Sequence, residues 1–202
     1  MLGRAGLTDR GSEWTSPLGE GKGLTCPPTG CGAPAGDAHL VASLLARYPE
    51  IGSLEYCPRS HRFTFTFLIT ATGLNMPAFQ ERLKESLQAY SYLTGHPVDL
   101  LIVDWVEEAG VTLLRIVRDL PTLRHEEIAL LIGLVQQEFS DLIACEAGAP
   151  APEFDGPMQE ELIQHMLEDL RDAPRSRELI GFRREGRVVV YHRQPAAAKP
   201  RR

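Results

Sequence analysis

Residues 62–70 read Arg62-Phe63-Thr64-Phe65-Thr66-Phe67-Leu68-Ile69-Thr70, and this alternation decides the fold. Successive side chains of an extended chain point to opposite faces, so Phe63, Phe65 and Phe67 share one face while Thr64, Thr66 and Leu68 share the other. A strand with one aromatic face must lay it against another apolar element. Upstream, Ile51 to Tyr56 supplies a partner strand, and Pro58-Arg59-Ser60-His61 has the length and chemistry of a hairpin loop. Downstream the period changes. Phe79, Leu83, Leu87, Tyr90 and Leu93 recur at helical spacing over Met76 to Leu93. Asn75 is the expected N-cap, Pro77 suits the first turn, and Thr94-Gly95 with Pro97 ends the helix.

The same order then recurs. Asp99 to Glu107 predicts a strand, Glu108-Ala109-Gly110 a turn, and Val111 to Arg118 a second strand. Thr122 is the expected cap of a helix from about Leu123 to Ile143, with Ile128, Leu131, Ile132, Val135, Phe139 and Leu142 on its apolar face. The strands align at an offset of 48 (Thr64 with Thr112, Phe65 with Leu113, Leu68 with Ile116) and the helices at 49 (Phe79 with Ile128, Leu83 with Ile132, Tyr90 with Phe139). A one-residue difference in loop length would reconcile the two, and the repetition is architectural.

Outside this pair of units, residues 1–37 are rich in Gly, Pro, Ser and Thr and predict a disordered extension. Asp37 is the expected cap of a short helix carrying His39, Leu40, Val41, Leu44, Leu45 and Tyr48, which Pro49 ends. The core thus runs over 38–146. A linker follows at 147–157, then an appendage at 158–193 made of an acidic helix and a hairpin, and a basic tail at 194–202. The helix is Met158 to Asp172, with Leu162, Ile163, Met166, Leu167 and Leu170 on one side. The hairpin runs from Glu178 to Phe182 and from Arg187 to His192, turning at Arg184-Glu185-Gly186. The expected class is α+β in the order α-ββα-ββα. Four antiparallel strands carry helices on one face, and the C-terminal helix and β-hairpin are added to them. Leu100, Ile102, Val106, Leu114 and Ile116 would then make the opposite face partly apolar, to be covered by the first helix or by a second chain.

Composition bounds the function. No stretch reaches the ~18 apolar residues of a membrane span, and no apolar h-region follows Arg4, so the expectation is a cytoplasmic protein without membrane partners. Cys26, Cys31, Cys57 and Cys145 are too scattered for a disulfide framework in a chain of 202 residues. The net charge of −6 is unevenly spread. From Pro174 to Arg202, nine Lys and Arg face only Glu178 and Glu185, a balance of +7 that leaves −13 for the rest. Pairing between the hairpin's arginines and Glu160, Glu161, Glu168, Asp169 and Asp172 of the preceding helix is the simplest account. The alternative is an anionic partner.

Chemical motifs are thin. In Cys57-Pro58-Arg59-Ser60-His61-Arg62 the Arg follows the Cys too closely, and joins strand to strand, for a phosphate cradle built on a helix N-terminus. Cys26-x4-Cys31 with Cys57-x3-His61 could compose a Cys3His zinc set, but 25 residues separate the pairs. His125-Glu126-Glu127 lacks the second His of a zinc-protease helix, since position 129 is Ala. The glutamates there suit a helix N-terminus. Asp104, Glu107 and Glu108 read as a solvated hairpin end. No catalytic, cofactor-binding or metal-ligating residue is assigned. Arg183, Arg184 and Arg187, beside Phe182, Tyr191 and His192, are the candidate anion or nucleic-acid contacts.

In element order the chain resembles, in topology alone, the small acidic dimeric chaperones of bacterial secretion systems. It is also similar in order to half of a homing endonuclease, but the acidic helix signature of those enzymes is absent. The lack of convergent polar groups beside a Gly-rich or nucleophile turn, together with the unplaced apolar sheet face, makes a homodimeric, non-enzymatic protein-binding or regulatory role the first expectation. A nucleic-acid-binding protein using the basic hairpin is the second expectation. An enzyme assembled from distant residues such as Cys57, His61 and Asp104 is the third.

Overall fold

The computed structural model describes residues 36–145, 156–172 and 178–193. The expected N-terminal extension with Cys26 and Cys31, except Gly36 and Asp37, which begin a helix, lies outside them, as do most of the linker and the basic tail. The described elements are α1 (Gly36–Arg47), β1 (Ser53–Cys57), β2 (Arg62–Ile69), α2 (Met76–Thr94), β3 (Leu101–Glu108), β4 (Val111–Asp119), α3 (His125–Phe139), α4 (Gly156–Asp172), β5 (Glu178–Arg184) and β6 (Arg187–Arg193). A 3-10 turn at Ser140–Leu142 follows α3.

The class is α+β with an antiparallel sheet, but the sheet has six strands rather than four, in the order β3-β4-β2-β1-β5-β6. The C-terminal hairpin is not separate from it. β5 pairs with β1, placing Leu54 opposite Gly181 and Tyr56 opposite Leu179. The hairpin leaves an alternating strand with unpaired edge groups, and β1 offers a matching edge. Both two-residue turns, Ala109-Gly110 and Glu185-Gly186, place two successive residues at positive φ, the hairpin geometry that follows strand twist.

All helices lie on one face. Phe63, Phe65, Phe67 and Ile69 of β2 are buried there with Leu54 and Tyr56 of β1, Leu114 and Ile116 of β4, and Leu179 of β5. Phe79 of α2 meets Phe139 of α3 at a ring separation of 5.0 Å. Helix α1 packs over β5, β6 and β1, and α4 bridges α1 and α3. Gly181 makes the α1 contact close: a Cβ there would stand 2.5 Å from Val41 Cγ1 and 2.7 Å from Leu45 Cδ1.

This geometry corrects several expectations. Leu114 and Ile116 face the helices, and it is Leu113 and Val117 that share the other face with Ile102 and Val106. Leu100 precedes β3. The first helix does not cover that other face. The strand offset of 48 therefore pairs residues of opposite faces, because a one-residue shift flips every side chain. An offset of 49 matches Phe65 with Leu114 and Phe67 with Ile116, both buried, and agrees with the helices. No compensating loop residue is needed.

Helix ends differ as well. Asn75 does cap α2, its Oδ1 accepting the Ala78 N–H at 3.3 Å, and Gly95 ends that helix in the left-handed conformation. Leu93, however, is 80% exposed with Tyr92 at 89%, because among the described residues no element packs on that side of the last turn of α2. Asp37 lies inside the first turn of α1 rather than before it. Thr122 does not cap α3. Its N–H and hydroxyl bind Asp119, and Arg124 stands at the cap without a side-chain bond. The chain leaves helical form at Ser140, and Ile143 bridges to Ile69 of β2.

Candidate binding surface

The face of the sheet opposite the helices is assembled from every second residue of six strands. Register places Ile102, Val117, Thr64, Glu55, Ile180 and Tyr191 in one row across it. Asp104, Arg115, Thr66, Ser53, Phe182 and Val189 form the next. Two apolar patches result. One lies on β3 and β4, where Ile102, Val106 and Leu113 are exposed and Val117 half-buried. It surrounds an ion pair between Arg115 and Asp104. The other lies on β5 and β6, where the rings of Phe182 and Tyr191 stack at 5.5 Å and 18°. A strip of Ser53, Glu55, Thr64 and Thr66 separates them. Among the described residues nothing packs on this face.

The candidate arginines part company. Arg183 points to the helix side, donating from Nη2 to the carbonyl of Leu45 in the last turn of α1, where cations are favoured. Arg184 is exposed, with Nε 4.0 Å from Glu185, and Arg187 is exposed across from it at the other side of the turn. The acidic helix does not pair with these arginines. Its Glu160 meets Arg47 at 3.4 Å, and its Glu168 stands 3.9 Å from Arg124. The hairpin's basic turn thus keeps its charge facing solvent.

Cys57, His61 and Asp104 are not brought together. Cys57 lies on β1 with Sγ 3.9 Å from Glu178 Oε1, and His61 sits exposed in the hairpin loop at φ +49°. Asp104 lies three strands away, about 14 Å at the usual strand spacing. Among the described residues no cluster of His, Cys, Asp or Glu could hold a metal ion, and Cys57 and Cys145 are free thiols. Glu107 accepts from the Gly73 N–H at 3.2 Å, which directs it away from Asp104.

Two buried polar arrangements escaped the sequence reading. Arg118, fully buried, donates from Nε and Nη2 to the two carboxylate oxygens of Glu127, and further to Asp119, Thr122 and the carbonyl of Leu100. Burial opposes the charge of Arg118, but these carboxylates outweigh it and raise its pKa. Burial likewise opposes the charge of Asp119, yet the Thr122 hydrogen bond and Arg118 hold its pKa below the ordinary value. Tyr48 and His125 are hydrogen-bonded at 2.9 Å within the core. Burial lowers the His125 pKa and pushes that of Tyr48 up to about 12, so a neutral phenol meets a neutral ring, and the ring's tautomer sets which of the two donates. Both arrangements tie α3 to its neighbours. The inward position of Arg118 in the alternation Leu114, Ile116, Arg118 was the available signal.

No family model, curated protein or solved structure matches the chain. Among the described residues no helix is long and apolar enough to cross a membrane.

Proposed function

We propose that this is a non-enzymatic binding protein that associates with a second copy of itself through the face of its sheet opposite the described helices. The observation that carries this is the β3–β4 patch, in which an exposed ion pair, Asp104 with Arg115, is ringed by Ile102, Val106, Leu113 and Val117. Such a patch is self-complementary: a two-fold axis beside it would set each carboxylate against the other copy's guanidinium, with aliphatic side chains closing round them. Its dimensions fit. Six strands at ~4.8 Å spacing and seven or so residues at ~3.3 Å make a face roughly 25 Å square, about 600 Å² in projection, which approaches the ~800 Å² per partner of a standard interface. Light scattering on the full chain is expected to give a dimer that Leu113→Lys converts to monomer. A wild-type protein that stays monomeric at high concentration would sink the reading.

A second reading has its own observation. Exposed Arg184 and Arg187 adjoin the stacked Phe182 and Tyr191 on the same face, a combination suited to single-stranded nucleic acid. Oligonucleotide affinity that falls steeply with salt, and is lost on reversing Arg184 and Arg187 to Glu, would support it. Affinity unchanged by that reversal would remove it.

A further inference from the structure

The two ββα units place β1 and β3 in corresponding positions at either side of the central β2–β4 pair. The outer edge of β1 is filled by β5, while the outer edge of β3 has no strand beside it among the described residues. The backbone is set to receive one. Thr66 O, Leu68 O and Thr70 N bond on the β1 side of β2, so the alternate residues of β2 face β4. Carried through the register of β4, this turns the N–H and C=O of Leu101, Val103, Trp105 and Glu107 outward.

The surroundings of that edge describe the occupant. On the helix side, a groove of about 450 Å³ runs between α2 and the start of β3, lined by Leu87, Gln88, Ser91, Tyr92, Val98 and Leu101. Tyr92, 89% exposed, stands at its rim. Lys84 also lines it, 2.9 Å from Glu81. On the open side, the edge presents Asp104 and Glu108, with Asp104 partly answered by Arg115. Asp99 and Glu107 add to the acidic character. Pairing of β3 with another copy's β3 would bring like charges together, which disfavours a second copy here.

We propose that the β3 edge and the α2 groove bind an extended peptide of a partner protein. That peptide alternates apolar side chains, directed into the groove, with basic ones directed toward Asp104 and Glu108. Main-chain pairing would supply affinity and the alternation would supply selectivity. This surface shares Asp104 with the sheet face assigned to self-association and differs from it in using the backbone edge of β3 and the α2 groove.

The test uses the full chain and two synthetic eight-residue peptides matched to the eight residues of β3. One alternates Val with Lys, and the other has Glu in place of Lys. Binding and amide exchange are followed by NMR. The Val/Lys peptide is expected to bind and to slow exchange at Leu101, Val103, Trp105 and Glu107, whereas the Val/Glu peptide is not. Glu108→Lys should weaken the Val/Lys peptide by about tenfold. Trp105→Pro should abolish binding that Trp105→Ala retains, since only proline removes an outward N–H. Equal binding of both peptides would overturn the proposal. So would protection confined to β6, or outward amides of β3 already protected in the free protein. Glu108→Lys lies on the surface, so the charge arm stands even if Trp105→Pro fails to fold.

Discussion

The two ββα units solve one packing problem with different chemistry. The first closes its sheet with Phe63, Phe65, Phe67 and Ile69, all apolar and fully buried. At the corresponding positions the second has Thr112, Leu114, Ile116 and Arg118. Where the first relies on area, the second relies on a latch: Arg118 of β4 holds Glu127 of α3, with Asp119, Thr122 and the Leu100 carbonyl completing the shell. Buried apolar area is forgiving of small changes in direction, whereas a buried ion pair fixes the helix at one height on the strand. The first unit also carries β5 and α1 on its flank, while among the described residues the second ends the sheet at β3.

The largest effect should come from breaking the latch. Glu127→Ala leaves a guanidinium buried without its main partner, and urea unfolding should show a loss of about 3–5 kcal/mol. Arg118→Met combined with Glu127→Leu restores the chemistry of the first unit and should cost far less, near neutrality. If the double change proves as damaging as the single one, the latch is not a stand-in for apolar packing.

The flank of the first unit breaks next. Gly181→Val puts side-chain atoms where Val41 and Leu45 of α1 already lie, and such overpacking costs about 1–3 kcal/mol. Amide exchange should rise first in β5 and β6 and leave β3 and β4 unchanged. A uniform rise would mean that the six strands unfold as one.

A smaller effect follows from Tyr48 and His125. Tyr48→Phe leaves the ring nitrogen without its hydrogen-bond partner, at a cost of about 1–3 kcal/mol. The pair also gives stability a pH dependence. The folded pKa of His125 is depressed, so above the ordinary value of about 6.5 the ring is neutral in both states. As pH falls below that value the unfolded chain takes up the proton while the folded one resists, and stability declines until the folded pKa is reached. Glu160 and Glu126 work against the depression, and Arg47 adds to it. Urea midpoints between pH 7.5 and 5.5 should therefore fall in the wild type and flatten in His125→Gln.

How much of this was legible depends on range. The alternation of β2 and the helical spacing of α2 are local, and each element appears where its pattern predicts it. The cap at Asn75 was legible for the same reason, since its partner is three residues away. The pairing of β5 with β1 was not, because no residue between Leu54 and Gly181 records it. Glycine at 181 has its reason in α1, far earlier in the chain. The offset of 48 went wrong by matching residue type (Thr64 with Thr112) where burial alternation should have decided. Of the candidate surface, the apolar residues Ile102 and Val106 were visible, while the separation of Arg183 from Arg184 and Arg187 needed the register of the hairpin.

The finest contrast between the units is at their helix starts. Helix α2 has Asn75, whose side chain accepts from Ala78 N–H, whereas α3 begins at Arg124 with no side-chain bond. Asn75→Ala should cost about 1 kcal/mol, the usual worth of such a cap. Arg124 has φ −115° and ψ 156°, the extended geometry a capping residue adopts, so the backbone already suits Ser or Asp. Its positive charge also sits at the positive end of the helix. Its partner Glu168 is 3.9 Å away and half-exposed, a pair worth little. The His125 N–H is already bound by Gln164, which leaves the next amide groups for a new cap. Arg124→Asp should therefore stabilise the protein by about 0.5–1 kcal/mol in urea unfolding. A loss instead would show that the Arg124–Glu168 contact, rather than the end of α3, sets how α4 is held.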